Sequence, residues 1–348
     1  MPKSRGIVVS TDENALQPLL PGELAQTLGQ QANAAAARSR FADYRARRAE
    51  QTLRRQEADL LLFREFLESA GMHTGELASE AAAWRTVTWG LVEAFVKWQL
   101  KTGYAIPSIN VRLSTIKTYA RLAMQVGTLT PQEYALIRAV QGYTYREQAR
   151  IDQKRPVRRI GLKKAEPVKI TPEQAAALKD QPETPQGRRD RLMMCLLLDH
   201  GLRVGEIALL KVEDFDMSDS TLRFFRPKVS KEQVHRLSPA TAAAFKSCLD
   251  AGELIAGGLL LRRSKKNEEL SQAGMSERAI TGRVCFLGEK LGLNGLSAHD
   301  CRHFWATSAA RHGTDPFTLQ EAGGWSSLAM PRRYVEDNTI ANDKIKLE

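Results

Sequence analysis

The chain has 348 residues and carries 51 Lys+Arg against 40 Asp+Glu, a formal net charge of +11. Its 43% hydrophobic and 26% charged residues exclude a disordered or fibrous protein, and no apolar run approaches the roughly 18 residues of a membrane helix. The four cysteines show no Cys-x-x-Cys spacing, which argues against a zinc ribbon, and they are too few for a disulfide scaffold, so a reducing cytoplasm fits best.

The length and the composition along the chain predict two domains. We expect a loosely ordered lead-in over residues 1–38, a helical domain over 39–145, a basic linker over 146–170, and a second domain with a C-terminal tail over 171–348. The fold class expected from the patterns below is mainly α with a small antiparallel sheet.

The first domain has the periodicity of a small helical bundle. Apolar residues recur at helical spacing over 53–67 and again over 88–101. A third helix is predicted to start after Pro107 with Ser108 as its N-cap. A fourth starts at Thr130, which opens a capping box with proline at the first helical position.

Basic side chains in two places are candidate contacts for a polyanion. Lys117 and Arg121 lie off the apolar stripe of the third helix, so they form either a solvated polar face or a DNA-contacting one. The linker contains Arg155, Arg158 and Arg159 among few acidic residues. Because like charges repel one another, we interpret the linker as a strap along phosphates, with an ordinary flexible connector as the alternative.

The second domain is predicted to be mostly helical with one β-hairpin. Thr171 opens it with a second capping box. The other predicted elements are a buried helix over 190–198, a helix from about 203 to 210, hairpin strands over 221–225 and 234–237, and helices after Ser297 and from about 315.

Two arginines and a histidine of this domain stand in settings that suit phosphate chemistry. Arg203 follows a tight turn at Gly201, and Glu206 at i+3 is placed to hold it. His299 and Arg302 are also three apart and therefore share one face of a helix. Two guanidiniums and an imidazole are donors suited to a phosphodiester, because arginine pairs bidentately with phosphate oxygens and stays charged. Together they would offset the extra charge of a pentacoordinate phosphorane.

The order of three motifs carries a family resemblance. Gly-Leu-Arg-Val-Gly-Glu at 201–206, His-x-x-Arg at 299–302 and Gly-Gly-Trp-Ser-Ser at 323–327, followed by Tyr334, resemble the tyrosine recombinases, or phage integrase family. The nine residues from Trp325 to Tyr334 match that family's spacing. The motifs cover about residues 171–340, whereas residues 40–145 resemble the family only in architecture.

The resemblance implies a role for each motif residue. Tyr334 would attack the scissile phosphate and become joined to the DNA 3′ end, while Arg203 and Arg302 bind the non-bridging oxygens. His299 would handle the proton on the tyrosine side, and Trp325 would donate its indole N–H or pack to hold the site. A free phenol has a pKa near 10, so attack near neutral pH requires a proton acceptor and a cationic surround.

The remaining site predictions concern the leaving group and the DNA. Lys231 of the hairpin would protonate the departing 5′ oxygen, with Lys228 as the alternative, and Glu206 would support Arg203. His235, on the second hairpin strand, is a further candidate for facing DNA. No metal and no cofactor are implied, because the phosphotyrosine conserves the bond energy for religation.

At the level of architecture, the resemblance implies a C-shaped clamp on double-stranded DNA. A helical core-binding bundle and an α+β catalytic domain would form it. It further implies a homotetramer on synapsed sites, accessory DNA-bending or directionality factors as further partners, no membrane, and a cytoplasmic, nucleoid-associated location in a bacterium.

Three alternatives remain open from the residues. His299 and His303 at i, i+4 are similar to the zinc-binding pair of HExxH proteases, although Arg302 would place a positive charge beside the metal. The chain could be a DNA-binding accessory protein that does not cleave, which adduct formation would test. A type IB topoisomerase or telomere-resolving enzyme would share the active site, and would differ in site specificity and in assembly on DNA.

Overall fold

The computed structural model of the protein describes residues 21–157, 160 and 167–336, which fall into two compact units with the boundary between Leu162 and Lys163. Most of the predicted lead-in, Arg158, Arg159 and the predicted tail lie outside the described residues. In the part of the chain that is described, no helix has both the length and the apolar character to cross a membrane.

The N-terminal unit is a helical bundle built around one central helix. Helix α4 packs on α1, α2, α3 and α5. The side chains of Phe63, Phe95 and Ile116 are fully buried between them, which confirms the helical stripes expected from the sequence. The helices are α1 (Pro21–Ala46), α2 (Glu50–Ser69), α3 (Trp89–Thr102), α4 (Ile106–Gln125), α5 (Pro131–Ala139) and α6 (Tyr145–Lys154).

Two predicted helix starts have different outcomes. Thr130 caps α5 as expected, accepting the Glu133 N–H at 3.1 Å, although the Glu133 carboxylate accepts from the Trp89 N–H at the start of α3. The prediction for α4 was wrong: its N-cap is Ala105, and Pro107 lies inside the first turn. Proline suits that turn because its φ is already helical and its missing N–H would have no partner there.

The first part of the predicted basic linker is helical. A capping box between Thr144 and Glu147 starts α6, whose Arg, Gln and Lys side chains have favourable helix propensity. After α6, the Arg155 guanidinium donates to the Tyr104 carbonyl at 2.8 Å and pairs with Asp152. The Ile160 N–H donates to the carbonyl of Gly103. Arg155 and Ile160 therefore both bind to the backbone just after α3.

The C-terminal unit combines helices with two small antiparallel sheets. One sheet has the order β1-β2-β3 and the other pairs β4 with β5. Its helices are α7 (Pro172–Lys179), α8 (Pro185–Asp199), α9 (Val204–Leu209), α10 (Pro239–Asp250), α11 (Glu277–Glu289), α12 (Ala298–Arg311), α13 (Pro316–Gly323) and α14 (Ala329–Glu336), and its strands are β1 (Phe215–Asp216), β2 (Thr221–Arg226), β3 (Lys231–Arg236), β4 (Arg262–Ser264) and β5 (Leu270–Gly274).

The core of this unit is centred on α8. Residues 192–198 are all buried, as expected, and α8 packs on α7, α10 and α12. The hairpin is also confirmed, although β2 is one residue longer than predicted and β3 starts three residues earlier. In its register, Arg226 pairs with Lys231 across the turn.

Candidate active site

The turn at Gly201 places Arg203 beside α12. Gly201 has φ +58°, and a Cβ there would lie 2.3 Å from the Trp305 ring on α12. Only glycine fits this position, because the conformation is left-handed and the approach is too close for a side chain. The turn ends α8 and makes Arg203 the N-cap residue of α9.

Arg203 is held by Glu206 in the way the i+3 spacing predicts. Its Nη1 lies 2.8 Å from Glu206 Oε1, and its backbone N–H donates to Oε2 at 2.8 Å. Its Nη2 donates to the carbonyl of Gly324 at 2.9 Å. The Arg203 side chain remains 24% exposed, so the guanidinium is fixed in direction and still open to a ligand.

Arg302 lies deeper, on α12. Its Nη1 donates to the Gly201 carbonyl at 2.5 Å and its Nη2 donates to the carbonyl of Gly323. Burial, with Arg203 and Arg226 nearby, lowers the pKa of Arg302 to about 9. A guanidinium with so depressed a pKa is one that a bound anion would stabilise.

A third arginine, Arg226 at the end of β2, belongs to the same cluster and was missed from the sequence. It is fully buried. Its Nη1 lies 3.0 Å from both Glu206 oxygens, and its Nη2 donates to the Ala322 carbonyl at 2.6 Å. The alternation of Leu222 and Phe224 on the buried face of β2 puts Arg226 in phase with them, and this was the signal available in the sequence.

The electrostatic balance of the cluster favours an anion. Glu206 forms ion pairs with both Arg203 and Arg226. Arg302 adds a further positive charge close by. Burial lowers the pKa of Arg226 despite the ion pair with Glu206. Three guanidiniums around the Glu206 carboxylate are an arrangement suited to a phosphodiester, although Glu321 also attracts Arg226 from farther away.

The Tyr334 hydroxyl contacts His303 of α12, which in turn contacts His299. Tyr334 is 7% exposed, and its hydroxyl is 2.7 Å from His303 Nδ1. His303 Nε2 is in turn 3.0 Å from His299 Nε2. Burial, reinforced by His299, lowers the pKa of His303 to about 4. His303 is thus a hydrogen-bonding partner of the Tyr334 hydroxyl.

The same geometry bears on the zinc alternative. A zinc site would need a third ligand beside His299 and His303. Within the described ranges, no group of three His, Cys, Asp or Glu side chains is placed to hold a metal ion, and His303 Nδ1 faces the Tyr334 hydroxyl. The donors around these histidines therefore do not fit a zinc centre.

Trp325 joins the arginine cluster to the tyrosine. The Arg302 guanidinium carbon lies 4.3 Å from the centroid of the Trp325 ring, and the Tyr334 ring centroid is 5.9 Å from the same indole. Trp325 also stacks on Trp305, with the ring centroids 6.1 Å apart. The structure therefore brings Arg203, Arg302, Trp325, His299 and Tyr334 into one connected set.

The hairpin lysines stand apart from this set. Lys231 pairs with Glu321 of α13, and both side chains are more than half exposed. Lys228 lies in the turn between β2 and β3 and is exposed. No hydrogen bond or ion pair joins Lys228 to another residue in the described ranges. Lys231, the lysine that the sequence favours, is therefore engaged by a carboxylate, whereas no described carboxylate engages Lys228.

Three predicted DNA contacts have side chains that are engaged by protein groups, and they stay predictions. Lys117 donates to the Val140 carbonyl at 2.6 Å, and burial lowers its pKa. Arg155 is held by Asp152 and backbone carbonyls. The His235 ring packs edge-on to Phe224, and burial lowers its pKa to about 3. Arg121 is exposed and remains a prediction, while Arg158 and Arg159 lie outside the described residues.

Comparisons with known proteins agree with the motif order. Residues 169–340 match the model of the phage integrase family. The chain is 26% identical over 298 residues to tyrosine recombinase XerC of Roseiflexus castenholzii, covering 82% of this chain and 83% of that one.

Solved structures resemble the fold over most of the chain. A lambda integrase dimer bound to a COC′ core site matches with a TM-score of 0.59 at 17% identity, covering 97% of this chain and 85% of that one. A lambda integrase tetramer bound to a Holliday junction matches with a TM-score of 0.56 at 18% identity, covering 92% and 84%. At this identity the likeness is one of fold.

Proposed function

We propose, from the premise that this chain belongs to the phage integrase family of tyrosine recombinases, that it cuts and rejoins double-stranded DNA at specific sites. The reaction would pass through a covalent bond between Tyr334 and the DNA 3′ phosphate. The observation that carries the proposal is the indole of Trp325, which contacts both the Arg302 guanidinium and the Tyr334 ring. A nucleophile and a cationic phosphate site are thereby adjacent within one unit.

Each step follows from the charges of the site. Arg203 and Arg302 bind the non-bridging oxygens and stabilise the charge that develops on them in the transition state. Trp325 holds the Arg302 guanidinium and the Tyr334 ring beside each other. His299 takes up the proton that the tyrosine loses. The new ester bond conserves the energy of the broken one, so religation requires no nucleotide.

The departing 5′ oxygen requires a proton from the hairpin. Lys231 is the candidate that the sequence favours, but its ammonium is engaged by Glu321. Lys228 is exposed at the tip of the same hairpin, three residues away. Both lysines therefore enter the proposal as alternatives for the general acid.

The partner of this chemistry is double-stranded DNA. The net charge of +11 and the exposed Arg121 on α4 support contact with phosphates. Exchange between two sites requires four cleaving protomers, so we expect four copies on two synapsed sites. A protein acting in this way resides with the chromosome.

Trapping a covalent adduct tests the proposal. The full chain is incubated with a pool of duplexes that have randomised cores and a nick, so that the short cleaved fragment diffuses away and religation is blocked. We expect a denaturant-resistant protein–DNA adduct that Tyr334→Phe abolishes. Tyr145→Phe is the matched control because Tyr145 is 86% exposed and should react normally. Absence of any wild-type adduct, or an adduct that survives Tyr334→Phe, contradicts the proposal.

A sulfur-substituted substrate distinguishes the two lysines. Replacing the bridging 5′ oxygen by sulfur gives a thiolate leaving group that needs no general acid. The lysine that acts as the acid is the one whose change to alanine slows cleavage of the normal site, by about 10²-fold or more, and leaves the sulfur substrate unaffected. If neither Lys228→Ala nor Lys231→Ala behaves in this way, the hairpin does not supply the proton.

A further inference from the structure

The Tyr334 hydroxyl does not meet His299 directly in the described contacts. The His-x-x-Arg motif contains one histidine, His299. The fold places a second one, His303, between His299 and the Tyr334 hydroxyl. The hydroxyl is 2.7 Å from His303 Nδ1, and His303 Nε2 is 3.0 Å from His299 Nε2. Both distances are within hydrogen-bonding range, so the three side chains form a continuous path.

The two contacts of His303 fix what the ring can do. A neutral imidazole has one N–H and one acceptor nitrogen. If Nδ1 accepts from the Tyr334 hydroxyl, Nε2 carries the hydrogen and donates to His299. If Nδ1 carries the hydrogen and donates to the tyrosine oxygen, Nε2 accepts from His299. The two tautomers are the two ends of one proton transfer.

The surroundings of His303 make it a poor final holder of that proton. Burial lowers its pKa to about 4, with His299, Arg302 and Arg333 opposing a positive charge and Asp300 favouring one. These groups lie on α12, except Arg333, which lies on α14 beside the nucleophile. His299 is exposed, so water can stabilise the positive charge there. Burial therefore disfavours leaving the proton on His303, and the exposed ring of His299 is the next acceptor along the path.

We propose that His303 is a catalytic residue that relays the proton of Tyr334 to His299. As the tyrosine oxygen bonds to phosphorus and the phosphorus–5′ oxygen bond breaks, the hydroxyl proton passes to His303 Nδ1. The Nε2 proton of His303 passes at the same time to His299 Nε2. His303 ends neutral in its other tautomer, His299 ends as imidazolium, and the leaving oxygen takes its proton from the hairpin lysine. Religation reverses the sequence.

The inference rests on the proposed function, and its test uses a site on which the wild-type chain already forms the adduct. The rate of adduct formation is measured against pH for wild type, His303→Ala and His303→Asn. His312→Ala is the matched control because His312 is an exposed histidine at the end of the same helix. Its ring is hydrogen-bonded to the backbone carbonyl of Ser308, one turn earlier. Non-covalent DNA binding and the melting temperature are measured for each variant.

A relay predicts that His303→Ala and His303→Asn both slow adduct formation by about 10²-fold or more near neutral pH, while His312→Ala does not. The deficit should shrink as the pH approaches the ordinary tyrosine pKa near 10, and added imidazole should restore part of the rate of His303→Ala. Asparagine keeps a hydrogen-bonding group near the Nδ1 position and cannot transfer a proton. Wild-type rates in His303→Asn, or an unchanged rate in His303→Ala, would overturn the relay and leave the adduct chemistry standing.

Discussion

Replacing Glu206 by glutamine tests whether one buried carboxylate holds the arginine cluster together. Its side chain is 2% exposed and lies 2.8 Å from Arg203 and 3.0 Å from Arg226, whose own side chain is completely buried. Glutamine keeps the shape and can still accept the Arg203 backbone N–H, but it removes the charge. Arg226 would then be a buried cation whose hydrogen bonds go to neutral acceptors.

The size of the effect follows from the burial of the partners. Breaking a buried ion pair by removing one charge costs about 3–5 kcal/mol, because the other charge is left uncompensated. For a unit of this size, each kcal/mol shifts the melting temperature by about 2–4 °C, so we expect Glu206→Gln to lower it by roughly 6–20 °C. An anion that occupies the site should restore part of the loss.

Urea unfolding followed by tryptophan fluorescence, with and without sulfate, measures the loss in free energy of unfolding directly. Glu213→Gln is the matched control, because Glu213 pairs with Lys211 at a surface where both side chains are more than half exposed. An exposed pair contributes about 0–1 kcal/mol. If Glu206→Gln loses no more free energy of unfolding than Glu213→Gln, the carboxylate does not organise the cluster.

Three further results are expected. His200 should contribute about 2 kcal/mol to a fall in stability between pH 7 and 5, because burial lowers its pKa to about 4 while the unfolded chain takes up the proton near its ordinary value. Since the buried His235 and His303 act in the same direction, His200→Gln should reduce the pH slope in urea unfolding by that share, and an unchanged slope would contradict this. Gly324→Ala should lower the free energy of unfolding by about 1–3 kcal/mol, since Gly324 has φ +59° and a Cβ there would lie 2.6 Å from Arg226. Gly282 lies in a helix with open space around it, so Gly282→Ala should raise the free energy of unfolding by about 0.5–1 kcal/mol in the same urea experiment. Arg302→Lys should slow adduct formation by about 10²-fold or more, because a lysine cannot donate to the Gly201 and Gly323 carbonyls and also fork onto a phosphate; an adduct formed at the wild-type rate would contradict this.

Local signals in the sequence predicted many of the helix boundaries. Thr130, Thr171 and Asp315 cap their helices as side-chain acceptors, because capping depends on residues only three positions apart. The buried helix over α8 followed from its unbroken apolar run. The start of α4 was missed because the sequence does not tell whether a proline lies inside a first turn or just before it.

Tertiary partners decided what the sequence could not. Lys117 and Arg155 are basic residues that look available to phosphates, yet each donates to backbone carbonyls of distant residues. Arg226 looked like an ordinary hairpin arginine, and only the approach of the Ala322 and Gly323 carbonyls shows its place. Helical spacing paired His303 with His299, but its other partner, Tyr334, is 31 positions away and could not be read from that spacing.

Three guanidiniums donate to the backbone carbonyls of the same two residues, and this limits where the chain length can change. Arg302 and Arg226 donate to the carbonyl of Gly323, and Arg203 donates to that of Gly324. Inserting a single residue between this stretch and α14 would shift Tyr334 relative to the three arginines. Homologous chains should therefore tolerate changes of length at the tip of the β2–β3 hairpin far better than in the ten residues that precede Tyr334.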